Sequence, residues 1–104
     1  MAVVFVTTLT VKPDRFEEYL EENARKAKAI IERCGGKNIR LLAALVAGEA
    51  TGSLAFIAEA DDFAATGAVL DKFLADPEGV VLTLSGAASP VAGYQSAMWV
   101  DVPL

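Results

Sequence analysis

Apolar positions in this chain alternate between short β-branched runs and two stretches with helical spacing. Residues 2–11 have one parity of Val3, Phe5, Thr7, Leu9 and Val11, and another of Ala2, Val4, Val6, Thr8 and Thr10. Neither parity is polar until the threonines begin, so the segment predicts a strand covered on both faces. Lys12-Pro13-Asp14 breaks it, and proline in the first turn of a helix is tolerated because its missing N–H has no helical partner. Phe16, Leu20, Ala24, Ala27, Ile31 and Cys34 then recur at intervals of three and four, which predicts one apolar helical stripe. Asp14, Glu17 and Glu18 lie early in this helix and Lys26, Lys28 and Arg33 late, as the helix dipole favours. Gly35-Gly36 supplies a left-handed cap.

The middle of the chain reads as a β-hairpin. Ile39 to Ala47 and Ser53 to Ala60 are apolar on both parities and flank the turn Gly48-Glu49-Ala50-Thr51-Gly52. A turn centred near Ala50 sets Arg40 opposite Ala60 and diagonal to Glu59, within reach of an ion pair. Asp61 or Asp62 caps a second helix, with Phe63, Gly67, Leu70, Phe73 and Leu74 on one stripe. Gly67 costs helix propensity there, which points to close approach of something to that face. Asp76-Pro77-Glu78 repeats the capping logic and predicts a short helix to about Leu84, against which β-branched Val80, Val81 and Thr83 argue for strand. Ser85 to Pro90 reads as loop, and Val91 to Val102 alternates as a closing strand.

The order is β-α-β followed by β-α-β. The predicted fold class is therefore α+β: a ferredoxin-like βαββαβ domain spanning residues 1–104, with a four-stranded antiparallel sheet and both helices on one face. The other face of that sheet would be bare, yet its residues are apolar. Two such sheets packed face to face would bury it.

Composition sharpens this expectation. Of the 104 residues, 54 % are hydrophobic and 22 % charged, a high apolar share for so small a domain. Either a partner covers one face or the fold encloses an apolar cavity, although alanine richness also inflates the count. The formal net charge of −5, with no histidine and no sustained basic cluster, argues against nucleic acid and anionic membrane surfaces as partners. The first lysine, Lys12, comes too late for a secretory signal, and Leu41 to Ala47 is too short to span a bilayer. A soluble, cytoplasmic protein is expected. Cys34 is the single cysteine, at the negative end of a helix where thiolate is disfavoured. Without histidine or a calcium-loop spacing of carboxylates, neither a metal nor a cofactor is expected.

Four side chains are candidates for a ligand pocket. Gln95 and Trp99 share one parity of the last strand with Asp101, and a glutamine on a covered strand points to a wet cavity. The competing reading has Trp99 filling the core and Asp101 in solvent. Tyr94 has the opposite parity and cannot line the same sheet face. Tyr19 and Asn23, four apart on the first helix, either point into a cleft between helix and sheet or form the border of its apolar stripe. Arg40 suits an anion, though pairing with Glu59 occupies it.

The chain resembles the dimeric α/β-barrel superfamily, which includes NIPSNAP-like, stress-responsive barrel and antibiotic-biosynthesis-monooxygenase domains. The element order carries the resemblance over nearly the whole chain. Similarity to small bacterial NIPSNAP-like domains rests on Leu45-Val46-Ala47-Gly48-Glu49-Ala50-Thr51-Gly52, on Asp71-Lys72-Phe73-Leu74-Ala75-Asp76-Pro77-Glu78 and on the last strand. The resemblance implies a homodimer whose two sheets form a barrel, with a ligand pocket between each sheet and its helices. Oxygenase members of the superfamily work without metal or flavin on electron-rich aromatic substrates. Asn38, Tyr94, Trp99 and Arg40 supply residue types that such members use, but not their pattern, so no catalytic residue carries over. Three functions follow as expectations: binding of a small apolar or aromatic molecule, cofactor-independent oxygenation or cyclisation of an aromatic or polyketide-like substrate, or a purely structural dimerisation module.

Overall fold

A computed structural model of the chain describes residues 2–45, 53–83 and 89–104. Strand β1 (Val3–Val11) is followed by a helical stretch in three parts: α1 (Phe16–Tyr19), a π-helical turn (Leu20–Ala24) and α2 (Arg25–Arg33). Strands β2 (Lys37–Ala43) and β3 (Leu54–Ala60) come next, then helices α3 (Phe63–Ala75) and α4 (Pro77–Thr83), then strand β4 (Val91–Val100). The four strands form one sheet in the order β2-β3-β1-β4, and every neighbouring pair is antiparallel. This is the α+β, ferredoxin-like arrangement that the element order predicts. The expected hairpin turn, Gly48 to Gly52, and most of the expected loop from Ser85 lie outside the described residues.

The first helix starts later than Pro13. Asp14 has a φ of 62°, in the left-handed region that a right-handed helix excludes. The Arg15 N–H donates to Lys12 O at 3.1 Å, so Pro13 and Asp14 form a turn ahead of the helix. Arg25 N–H reaches back five residues to Leu20 O, which makes the middle of the helix π-helical. That extra residue rotates the two ends against each other. Tyr19 is 4 % exposed and Phe16 45 %, so the N-terminal part turns Tyr19 inward in place of the predicted Phe16. The helix then ends as predicted: Gly35 has a φ of 103°, Gly35 N–H donates to Glu32 O and Gly36 N–H to Ile31 O. Those two bonds satisfy carbonyls that the last turn would otherwise leave bare.

Asp62, and not Asp61, caps α3, accepting the Ala65 N–H on Oδ1 at 2.7 Å. Asp61 instead receives Lys37 Nζ at 2.7 Å, which holds its carboxyl below the usual carboxylate range. The inner face of α3 is Thr66, Val69, Leu70 and Phe73; Phe63 and Leu74 are both 56 % exposed. A methyl at Gly67 would meet nothing within 4 Å, so that glycine serves no close approach within the chain. Residues 77–83 are helix and not strand, because Asp76 caps them by accepting Glu78 N–H at 2.9 Å. Arg40 pairs in register with Ile57 and not with Ala60, yet its Nη1 still donates to Glu59 Oε2 at 3.0 Å from the diagonal position. From Arg40 to Ala43 the strand pairs without a break with Ile57 to Leu54, and the register shifts only beyond Arg40, toward Lys37, where Asn38 has a φ of 49°.

Both helical layers cover one face of the sheet. That face carries Val3, Phe5, Thr7 and Leu9 of β1, flanked by Ala60, Ala58, Phe56 and Leu54 of β3. Its core is Leu9, Tyr19, Ala24 and Leu54 at one end, and Val3, Ile30 and Cys34 are also buried. The opposite face carries Val4, Val6, Thr8, Leu42, Ala97 and Trp99, and among the described residues no helix lies over it. There the expectation of strands covered on both faces is not met within one chain: Leu42 is 48 % exposed and Trp99 62 %.

Candidate functional site

An apolar cleft of about 420 Å³ opens between the first helix and α3, with the sheet as its floor. The floor is Val3, Phe5 and Thr7 of β1, Phe56 and Ala58 of β3, and Tyr94 and Ser96 of β4. One wall is Tyr19, Asn23, Ala27 and Ile31, and the other Thr66, Val69, Leu70 and Phe73. Small side chains on the first helix leave the space: Ala24 and Ala27 stand where larger residues would close it.

Polar groups gather at one end. Thr7 and Ser96 are paired in register, and their hydroxyls lie 2.9 Å apart. Tyr94, opposite Leu9, is two residues from Ser96 on the same face, and Tyr19 packs on Leu9. Burial pushes the Tyr19 phenol up to about 12, so it is a neutral hydrogen-bonding group at physiological pH. Asn23 lies four residues further along the same helix. At the other end the Thr66 hydroxyl donates to Asp62 O at 2.8 Å, which leaves that region apolar in effect.

Of the four residues predicted to line a pocket, the structure brings Tyr19 and Asn23 to this cleft. Gln95 and Trp99 stand on the other face of the sheet, paired with Thr8 and Val4. Tyr94, Ser96 and Thr7 take their place. The parity of β4 was legible from sequence, but not which parity meets the helices. In the structure the buried Val3 and Leu9 mark the helix-facing parity of β1, and antiparallel pairing transmits that parity to Tyr94 and Ser96.

The cleft holds its contents by shape and by a few neutral hydrogen-bonding groups. Glu59 borders it, but the register sends its carboxylate to the opposite face, where Arg40 holds it. Among the described residues no three acidic or sulfur side chains gather in a metal-binding group, and the chain has no histidine. Among the described residues, the polar side chains that face the cleft are neutral hydroxyl and amide groups.

No protein-family model matches the sequence, and no curated protein matches it. Solved structures do match in shape. An uncharacterized NIPSNAP domain protein from Burkholderia xenovorans superposes with a TM-score of 0.75 at 18 % identity, over 96 % of this chain and 94 % of that one. A mutant of SnoaB, a cofactor-independent oxygenase from Streptomyces nogalater, gives 0.70 at 22 % identity over 99 % and 95 %. An antibiotic-biosynthesis-monooxygenase-like protein from Nitrosomonas europaea gives 0.68 at 12 % identity over 97 % and 90 %. The chain thus has the ferredoxin-like α+β fold of NIPSNAP-like and antibiotic-biosynthesis-monooxygenase-like structures. At these identities the likeness concerns the fold.

Proposed function

We propose that this protein binds a small apolar or aromatic molecule in the cleft between sheet and helices, and that it works as a homodimer joined through the bare sheet face. The open apolar cleft with polar groups at one end carries the first part. A purely structural module would need no such space, and 420 Å³ falls within the range of small-molecule sites. Filling the space tests it. Neutral polycyclic aromatics should bind saturably, at one per chain, and Ala27→Trp should abolish binding while circular dichroism stays native. Unchanged binding by a folded Ala27→Trp protein would remove the cleft from consideration.

The exposed apolar positions of the outer face, Leu42 and Trp99 above all, support the dimer, because a second copy would remove them from water. A monomer by light scattering at micromolar concentration would sink that part. No helix of the described residues is long and apolar enough to cross a membrane, and a cytoplasmic location remains part of this proposal.

A second reading is cofactor-independent oxygenation, which the likeness to SnoaB favours. In it the cleft orients an electron-rich aromatic substrate, and Tyr19, Asn23, Thr7 and Ser96 supply hydrogen bonds. Anthrone-like substrates incubated with and without oxygen separate the readings: oxygen uptake above the uncatalysed rate is expected of an oxygenase, and its absence leaves binding.

A further inference from the structure

The distribution of charge around the cleft bears on what it can accept, given that it binds a ligand as proposed above. No lysine or arginine lines it. Arg25, Lys26 and Lys28 are ion-paired with Glu21, Glu22 and Glu32 on the outer surface of the first helix. Arg33, Lys37 and Arg40 are paired with Asp76, Asp61 and Glu59. The stretches outside the described residues, 46–52 and 84–88, contain no lysine or arginine. The first helix begins at Phe16 near the cleft's polar end, but there Glu17 and Glu18 are exposed and Arg15 is ion-paired with Glu18.

What that end offers is neutral: the Thr7–Ser96 hydroxyl pair, the Tyr19 phenol and the Asn23 amide. A carboxylate head at this end, between exposed Ser96 and buried Tyr19, would lose part of its water without gaining a cation, which is unfavourable for an unpaired charge. A hydroxyl or carbonyl loses far less and finds hydrogen-bonding partners. The far end, built from Val3, Phe5, Ala58, Ile31, Val69 and Phe73, accepts an uncharged hydrocarbon body.

We propose that the cleft selects neutral amphiphiles, an apolar or aromatic body bearing a single hydroxyl or carbonyl head, and rejects the corresponding carboxylates. The head sits among Thr7, Ser96, Tyr19 and Asn23, and the body extends toward Phe73. The site therefore sorts molecules by charge as well as by size.

A matched pair of probes, 2-naphthol and 2-naphthoate at pH 7, tests this by calorimetry at about 0.15 M and again at about 0.5 M salt. The protein's net charge of −5 repels any anion at long range, but added salt screens that repulsion and leaves the desolvation penalty in place. Naphthol should bind at least tenfold more tightly than naphthoate at both salt concentrations. Asn23→Lys, on a half-buried helical position, should raise naphthoate affinity about tenfold and narrow the gap. Equal affinities for the two probes would overturn charge selection while leaving binding in the cleft intact. A preference that vanishes at high salt, or one that Asn23→Lys leaves unaltered in a folded protein, would also overturn it. Binding of neither probe would take down the binding reading itself.

Discussion

Tyr19 is the residue in which fold and site meet most directly. It belongs to the buried cluster with Leu9, Ala24 and Leu54, yet it also lines the cleft. Because burial raises its pKa from 10.0 to about 12, the folded state holds the phenolic proton more tightly than the unfolded chain does. The associated stabilisation is complete below about pH 10 and is lost as pH climbs toward 12. Its size is on the order of 2 kcal/mol. Tyr19→Phe should remove that part of the alkaline loss of stability while changing stability at pH 7 by less than about 1 kcal/mol. Denaturant melts at pH 7, 9 and 11 check both statements. The difference between variant and parent isolates Tyr19 from the other groups of the chain. At this scale the sequence named Tyr19 and Asn23 for the cleft but missed Thr7 and Ser96. Threonine and serine in strands are ordinary surface residues, and their meeting across β1 and β4 is a product of long-range register.

At the scale of elements, the π-helical turn decides which residues of the first helix face the sheet. A uniform 3.6-residue period drawn from Phe16 to Cys34 carries Phe16 and Leu20 inward. With one extra residue between Tyr19 and Ala24, these two share the buried face at a spacing of five. Deleting Glu22 would let the stretch close as continuous α-helix and rotate Tyr19 by about 100° relative to α2. The helical circular dichroism signal should persist, while the Tyr19 titration moves from about 12 back toward 10 in an ultraviolet difference titration. No change in that titration would show that the π turn does not position the phenol. The start of α3 has a plainer dependence. Asp62→Ala removes the oxygen that accepts the Ala65 N–H and should cost about 1 kcal/mol in a denaturant melt. Helix caps were legible in sequence because they are local: Asp62, Asp76 and the Gly35-Gly36 pair each act within a few residues. The π turn has no comparable local signature, since its benefit is the burial of Tyr19 against β1.

For the whole molecule, the contrast between the two sheet faces is the main feature. One is covered by helices with a cleft beneath them, and the other leaves Leu42 and Trp99 in solvent. If the outer face joins two copies, Trp99→Glu places a carboxylate in an apolar contact on each chain. The expected result is a shift from dimer to monomer in light scattering, with native circular dichroism retained. A dimer that survives this substitution would move the interface elsewhere. The naphthol and naphthoate binding measured on such a monomer would further show whether the cleft is complete within one chain, as its lining by a single chain predicts.

Local patterning determined the strands, the end of the first helix at Gly35-Gly36 and the order βαββαβ, because each depends on residues close in sequence. That order in turn restricts four strands and two helical layers to very few topologies, and the ferredoxin-like sheet is one of them. Apolar residues on both parities also marked the sheet as a structure with two demanding faces. Only the tertiary structure decided which face the helices cover. It set Arg40 against Ile57, turned Tyr19 inward through the π turn, and sent Tyr94 and Ser96 into the cleft while Gln95 and Trp99 went outward. The physical reason is that a strand's two parities are equivalent until something packs on one of them. Val3 and Leu9 gain burial under the helices, and antiparallel pairing then assigns every other residue of the sheet to its side.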